Sequence, residues 1–402
     1  MNIRCLCAPG IRFRSPDDQG GVKKYLTVWR EVFQTRKTMK NLNQQTNLSS
    51  MNDMETDNIS RDMMGRKPVL WRTNTRTVLT DPSPEFGHKL LCDGLVFNLG
   101  DACAFSCEYC YVEAVAWRFA GHVVDRHNVV EGRAGNAGNC RKFEEVVIRR
   151  ANALRVLESQ LTRRDGSPRY PDPDDHRVIY SSTLVDVAAN MELLKETAEA
   201  CKLILEKTGW QIRLLSKSNL LAKLVDYIPE RHHRRLIFGF STGTIDARVC
   251  RAIESGTPAI GQRIKALHHL QESGFRTFGM ICPSLPQEDY AKFSRDVCEQ
   301  IRVDRCEHVW AEPINIRAAA MPRTLAGLRR EGLDRESELL QRVHGPGTEW
   351  EEYARQTFLA HARNIPPRKL RFLQYITPAS ASWWAPMRER GAVLLGSDAR
   401  KL

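Results

Sequence analysis

A chain of 402 residues with 42% apolar content can fill one large core or two ordinary ones, and it has no run near the roughly 18 consecutive apolar residues that a membrane span needs. Twelve cysteines at this length exclude the dense disulfide framework of a small secreted domain and fit a reducing cytoplasm. The net charge of +12 points toward polyanions, and half of it sits in residues 316–402, where fifteen Lys/Arg stand against nine Asp/Glu; a solvated basic surface is the plain alternative.

Residues 1–64 are polar and aperiodic. The stretch "KNLNQQTNLSSMNDMETDNISRDMM" has few anchors for a core and reads as a disordered leader. Its basic start lacks an apolar block and so does not read as a secretory signal; an organellar transit peptide is the alternative, against which Asp17, Asp18 and Glu31 interrupt the basic run. Met51, Met54, Met63 and Met64 leave open a translation start further on. Residues 65–93 form a lead-in.

From Gly94 short apolar runs alternate with helical patterns. The predicted strands are "LVFNLG" (95–100), "RVIYSS" (177–182), "QIRLLS" (211–216), "LIFGFS" (236–241), "RTFGMIC" (276–282) and "HVWAEPI" (308–314). Most are nearly continuous in apolar residues, as parallel strands covered on both faces are. Helical patterns over 188–206, 260–273 and 287–302 have the length of crossovers. Six such repeats over 94–315 predict an α/β fold with a parallel sheet, an open or closed barrel. One connection is long. It holds the Gly/Asn-rich "EGRAGNAGN" and then a predicted helix over 141–162, with Phe143, Val147, Leu154, Leu157 and Leu161 as its apolar stripe. Residues 316–402 are expected to form a mainly helical cap. There "RKLRFLQYITPASASWWAPMRERGAVLLG" mixes basic residues with Phe372, Tyr375, Trp383 and Trp384, which suits either nucleotide stacking or an aromatic plug. The pairs His232–His233 and His268–His269 are expected at the surface.

The stretch "DACAFSCEYCYVEA" places Cys103, Cys107 and Cys110 within eight residues. Three chemistries compete. A helix would put the thiols at i, i+4 and i+7 and bury them as small hydrophobes. A zinc site needs a fourth ligand, for which His122 or His127 would have to serve. An iron–sulfur cluster held by three thiolates leaves one iron open to a small molecule. The triplet begins just past the first strand, where an α/β barrel puts its active-site loops, and that position favours the cluster.

"CAFSCEYC" resembles the C-x3-C-x2-C loop of the radical S-adenosylmethionine superfamily. The stretch "FSTGTIDARVCRAIESGTPAIGQRIKALHHLQESGFRTFGMICPSLP", with "LLSKSNLL" and "VDVAANMELL", is similar to the spore photoproduct lyase and photolyase-like group of that superfamily over about 90–315. The resemblance implies a partial (β/α)6 TIM-like barrel with parallel strands. It implies a [4Fe-4S] cluster on Cys103, Cys107 and Cys110, with S-adenosyl-L-methionine on the fourth iron and an external one-electron donor of flavodoxin or ferredoxin type. By the same resemblance Tyr109 packs near the adenine, Lys217 and Ser241 contact S-adenosylmethionine, and Ser181, Ser182 and Thr183 are further strand-end candidates.

One departure stands out. The group returns a hydrogen atom from a cysteine at the end of its second strand, with tyrosines in the relay. Tyr109 and Tyr111 are present here, but residues 177–192 contain no cysteine. Cys282, at the end of the fifth predicted strand, is either a thiol donor from another direction or a small buried hydrophobe. No cysteine follows Cys306, so the auxiliary cluster of many peptide-modifying relatives has no ligands. The expectation is a cytoplasmic radical enzyme without membrane contact, acting on a nucleic acid or nucleotide. The alternatives are a peptide- or small-metabolite-modifying radical enzyme, or a non-catalytic zinc-stabilised nucleic-acid-binding protein.

Overall fold

The computed structural model describes residues 69–103, 105, 107–112, 146–314, 320–344, 349–396 and 399, all within the unit Met54–Leu402. The expected leader over 1–64 and the "EGRAGNAGN" piece lie outside the described residues.

Twelve described strands form two sheets. They are β1 (Val69–Thr73), β2 (Leu79–Thr80), β3 (Val96–Phe97), β4 (Gly100–Ala102), β5 (Val146–Arg150), β6 (Val178–Ser181), β7 (Gln211–Ser216), β8 (Leu236–Ser241), β9 (Arg276–Ser284), β10 (Cys306–Pro313), β11 (Leu370–Tyr375) and β12 (Ala392–Leu395). The main sheet has nine strands in the order β12-β11-β10-β9-β8-β7-β6-β3-β2. Every pairing from β3 to β12 is parallel, and β2 alone is antiparallel.

Alternate residues of each strand feed two apolar layers, because successive side chains point to opposite faces. Ile212, Leu214, Phe238, Phe240, Ile281 and Val309 join the larger core, where the predicted crossovers appear as helices Met191–Lys207, Ile260–Glu272 and Tyr290–Gln300. Val96, Tyr180, Ile237, Met280, Trp310 and Leu373 form the other layer, the inner face. Two of the helices start where a side chain supplies the missing acceptor: Leu193 N donates to Asn190 Oδ1 at 2.9 Å and Lys292 N to Asp289 Oδ1 at 2.8 Å. On the inner face the Phe278 ring lies where a Cβ on Gly239 would be, so any larger residue there would overlap it.

Three expectations need correction. The predicted strand 95–100 breaks at Asn98, whose side chain donates to Thr183 Oγ1 at 2.6 Å and accepts from Leu184 N at 3.0 Å; β3 stays in the main sheet while β4 enters a second sheet of order β1-β5-β4. Among the described residues of the predicted helix 141–162, only Ala153–Leu161 are helical. Before it, the β-branched run Val146–Ile148 pairs in parallel with β1, and Phe143 lies outside the described residues. The C-terminal cap has its helices, Ala320–Arg330, Asp334–Val343 and Glu349–Asn364, but β11 and β12 also extend the parallel sheet beyond the six expected strands.

The aromatic C-terminal segment is core. Trp384 is fully buried, stacked on Phe372 at 5.9 Å and edge-on to Phe358 at 5.4 Å. His232 is buried rather than at the surface, with Arg235 donating to its Nδ1 at 2.7 Å, while His269 is exposed as expected. Among the described residues no helix is long and apolar enough to cross a membrane.

His361 sets a pH dependence. It is fully buried with Nδ1 at 3.0 Å from Ser294 Oγ, and burial pulls its pKa down to about 4, against about 6.5 in an unfolded chain. The unfolded state takes up the proton first as pH falls. Stability present above pH ~6.5 is therefore lost toward pH ~4, by about 3 kcal/mol. Urea unfolding across that window should show the loss, and His361→Phe, which cannot take the proton, should lose less by about the same amount.

Candidate active site

The cysteine loop is not a helix. Among the described residues past β4 the loop turns at Glu108 and Tyr109, and it is stitched to the segment after helix Ala247–Ile253 by backbone bonds. Glu108 N donates to Ile253 O at 2.9 Å, Gly256 N donates to Phe105 O at 3.1 Å, and Cys107 and Glu254 form an antiparallel bridge. Cys110 N donates to Cys107 O at 3.0 Å and closes the turn. Helix Ala320–Arg330 presses on the same place. A Cβ on Gly327 would overlap Ala252 O, and Arg330 Nη2 reaches Glu108 Oε1 at 3.2 Å. The reading of the triplet as one face of a buried helix is thereby overturned, because the chain is pulled into pairing with Ile253–Gly256.

The three thiols are half-buried, and none is in a disulfide. They share one electrostatic neighbourhood. Burial, then Asp186 and Cys110, push the Cys103 thiol up to about 12. Burial also pushes Cys107 up against the opposing pull of Lys217, with Glu254, Cys110 and Cys103 adding to the rise. Lys217, just past β7, holds its ammonium 5.6 Å from the centre of the Tyr109 ring, a cation–π contact. Although burial opposes its charge, Cys107 and Glu254 keep Lys217 above its ordinary pKa.

Two buried carboxylates frame this group. Asp186, past β6, accepts from Ser216 Oγ at 2.7 Å, Lys217 N at 2.8 Å and Ala188 N at 2.9 Å, and burial raises its pKa. Glu254 is 4% exposed; it accepts from the Tyr109 hydroxyl and pairs with Arg263 at 2.6 Å, itself 1% exposed. Burial works against its charge, and Arg263 with Lys217 outweighs it, holding Glu254 below the usual carboxylate range. Arg263 also donates to Ser241 O and Pro258 O, both at 3.1 Å, and to Thr257 Oγ1.

The other predicted residues fall at neighbouring strand ends. Ser181 Oγ donates to Phe97 O at 2.9 Å and Ser241 Oγ to Cys282 O at 2.6 Å; both are buried. Ser182 has a left-handed backbone with φ of 92°. Thr183 accepts from Asn98 through Oγ1 and from the Tyr111 hydroxyl through its carbonyl, and Tyr111 is 41% exposed. Cys282 Sγ stands 3.6 Å from Glu312 Oε2. Asp186, Glu254, Arg263 and Glu312 were not among the predicted site residues. Asp186, in "VDVAANMELL", and Glu254 and Arg263, in the Phe240–Pro286 stretch, lie within the segments that carry the resemblance, and Glu312 has only its place near the end of a parallel strand.

Three thiols on one loop, none in a disulfide and with a cation nearby, are the donor set that an iron–sulfur cluster uses. Among the described residues no three His, Cys, Asp or Glu side chains, the cysteine triplet included, are grouped closely enough to hold a metal ion. His122 and His127 lie outside the described residues.

No family model and no curated protein matches the chain. Among solved structures it is similar to spore photoproduct lyase. A form of that protein with one tyrosine replaced by phenylalanine aligns with a TM-score of 0.50 at 14% identity, over 87% of this chain and 94% of the other. Spore photoproduct lyase complexed with dinucleoside spore photoproduct gives 0.49 at 13%, over 84% and 92%. A doubly substituted form with bound AdoMet and dinucleoside spore photoproduct gives 0.49 at 14%, over 87% and 94%. The likeness is one of fold, and it agrees with the resemblance carried by the cysteine loop and the Phe240–Pro286 stretch.

Arg263→Met should strand Glu254 as a buried, unpaired charge and lower the unfolding free energy by about 3–5 kcal/mol. Denaturant titration checks this, and adding Glu254→Gln should recover more than half of the loss.

Proposed function

We propose that this chain is a radical S-adenosylmethionine enzyme acting on a lesion or modification site in nucleic acid. The observation that carries the reading is the placement of three thiols, none in a disulfide, on one loop beside Lys217, Tyr109 and Asp186 where parallel strands end. In this reading β3 and β6–β10 are the wall of a partial (β/α)6 barrel, and β11 and β12 extend it. Cys103, Cys107 and Cys110 hold a [4Fe-4S] cluster. When bound, the cluster and S-adenosylmethionine together supply a 5′-deoxyadenosyl radical that takes a hydrogen atom from the substrate.

The chain's own residues bind and orient. Lys217 Nζ offers a charge-assisted bond to the carboxylate of S-adenosylmethionine, and the Tyr109 ring beneath it walls the adenine side. Asp186 fixes Lys217 through the backbone N–H. Ser182, Thr183 and Tyr111 flank the opening, while the hydroxyls of Ser181 and Ser241 bond strand carbonyls and shape the strand ends. Cys282 is the hydrogen donor to the substrate radical: a C–H bond forms as its S–H bond breaks, and the unpaired electron passes to Sγ. Burial, then Tyr111 and Cys282, hold the Tyr180 hydroxyl well above its ordinary pKa, and Tyr180 and Cys282 pack in the same apolar layer. The excess of fifteen basic over nine acidic residues in 316–402 supports a polyanionic substrate. A flavodoxin- or ferredoxin-type donor in the cytoplasm supplies the electron.

Anaerobic reconstitution should give a brown protein, and Cys107→Ala should stay colourless. With dithionite and S-adenosylmethionine the brown protein should form 5′-deoxyadenosine; a loaded cluster that forms none rejects the reading. Lys217→Ala should weaken S-adenosylmethionine binding about 10- to 100-fold, the worth of one hydrogen bond to a charged group. Binding of a short DNA or RNA should weaken steeply as salt rises, and salt-independent binding argues against phosphate contacts.

A further inference from the structure

One ion pair on the inner face of the sheet stands apart from the thiol triplet. The lead-in segment crosses that face and is pinned to it by its backbone and Asp93. Trp310 Nε1 donates to Lys89 O at 2.8 Å, Arg213 to Leu91 O at 2.5 Å, and Val178 N to Asp93 Oδ2 at 2.8 Å. The pinned Lys89 then donates to both carboxylate oxygens of Glu312 in β10, at 2.8 and 2.9 Å. The two side chains are 17% and 11% exposed. A pair this dry gains little over an apolar pair of the same size, so its place calls for a reason beyond stability. Its nearest reactive neighbour is the Cys282 thiol, with Sγ 3.6 Å from Glu312 Oε2.

We infer that Glu312, anchored by Lys89, is a positioning residue that keeps Cys282 in its S–H form and so fits it to give up a hydrogen atom. This rests on the reading of Cys282 as hydrogen donor. A carboxylate beside the sulfur opposes a second negative charge there. A thiolate binds metals and attacks electrophiles, a sulfonium among them, and has no hydrogen to give. The Cys282 S–H donates to Glu312 Oε2 at 3.6 Å, an ordinary length for sulfur, while Lys89 bonds both carboxylate oxygens; turning toward a substrate breaks this one weak bond, and the charge effect stays.

The groups facing Cys282 come from five elements. They are Glu312 from β10, Lys89 from the lead-in, Lys217 past β7, Tyr180 from β6 and Tyr353 from helix Glu349–Asn364. The two lysines favour the thiolate, and burial with Glu312 outweighs them, so the thiol is held well above its ordinary pKa.

The test uses the full-length chain, reconstituted anaerobically and treated with iodoacetamide at a pH of about 8.5, near the ordinary thiol pKa. Peptide mass mapping follows Cys282 separately from every other cysteine. Glu312→Gln keeps the size and removes the charge, and Cys282 labelling should rise about tenfold or more, one pKa unit's worth. Lys89→Met leaves Glu312 without its counter-ion, and labelling should stay level or fall. No rise in Glu312→Gln overturns the inference, and so does a rise in both variants, which is the mark of loosened packing. S-adenosylmethionine is absent from this assay, so its outcome is separate from failure to form 5′-deoxyadenosine, which rejects the parent reading instead.

Discussion

The buried pair Glu254–Arg263 holds the site in place. A loop that carries three thiols has few apolar residues with which to anchor itself; Phe105 and Val112 are buried, and the remainder must be fixed by polar contacts. Glu254 fixes it from two directions, by the backbone bridge to Cys107 and by the bond from the Tyr109 hydroxyl. Arg263 can serve as the counter-ion because its other donors go to Ser241 O, Pro258 O and Thr257 Oγ1. Such a network is worth most when every member is satisfied, and it then holds a single geometry. The end of β8, the helix after it and the cysteine loop are thus one mechanical unit.

Each thiol group has an acid and a base beside it, yet the two sets are built differently. The triplet sees Asp186, Glu254 and Lys217, with the ammonium turned over the Tyr109 ring. Cys282 also feels Lys217, but its own partners are Glu312 and Lys89, which are bonded to each other. A metal takes the proton of a cysteine ligand and brings its own positive charge to the carboxylates nearby, so acids around the triplet are compatible with metal binding. The closed Lys89–Glu312 pair has its charges already matched. In the proposed reading one set would receive a cation and the other would leave a thiol as it is.

Much of the fold could be read from the chain because its central strands are long apolar runs. "QIRLLS" and "LIFGFS" are strands over the expected residues, since burial on both faces leaves a continuous pattern. The failures share a cause. Val146–Arg150 lies in a helical-looking stretch but pairs with β1, more than seventy positions earlier in the chain, and a partner so distant leaves no local mark. β11 and β12 were hidden by the aromatic and basic residues around them. In the site, the thiols stood out by spacing and Lys217 through the resemblance of "LLSKSNLL". The burial and pairing of Asp186, Glu254 and Glu312 were not legible, since an acid in sequence looks the same whether it is solvated or sealed against an arginine or a lysine.

The missing side chain of Gly239 works as a ruler. Gly239 and Phe278 are partners across β8 and β9, and the ring occupies the space that a side chain would need. Slide β8 by one residue in either direction and Phe238 or Phe240 meets that ring, while every side chain of the strand turns to the wrong face. One register survives, and it sets the height at which the carbonyl of Ser241 emerges for Arg263 to grip. The vertical alignment of the thiol loop is therefore gauged by an absent methyl group, two residues down the strand.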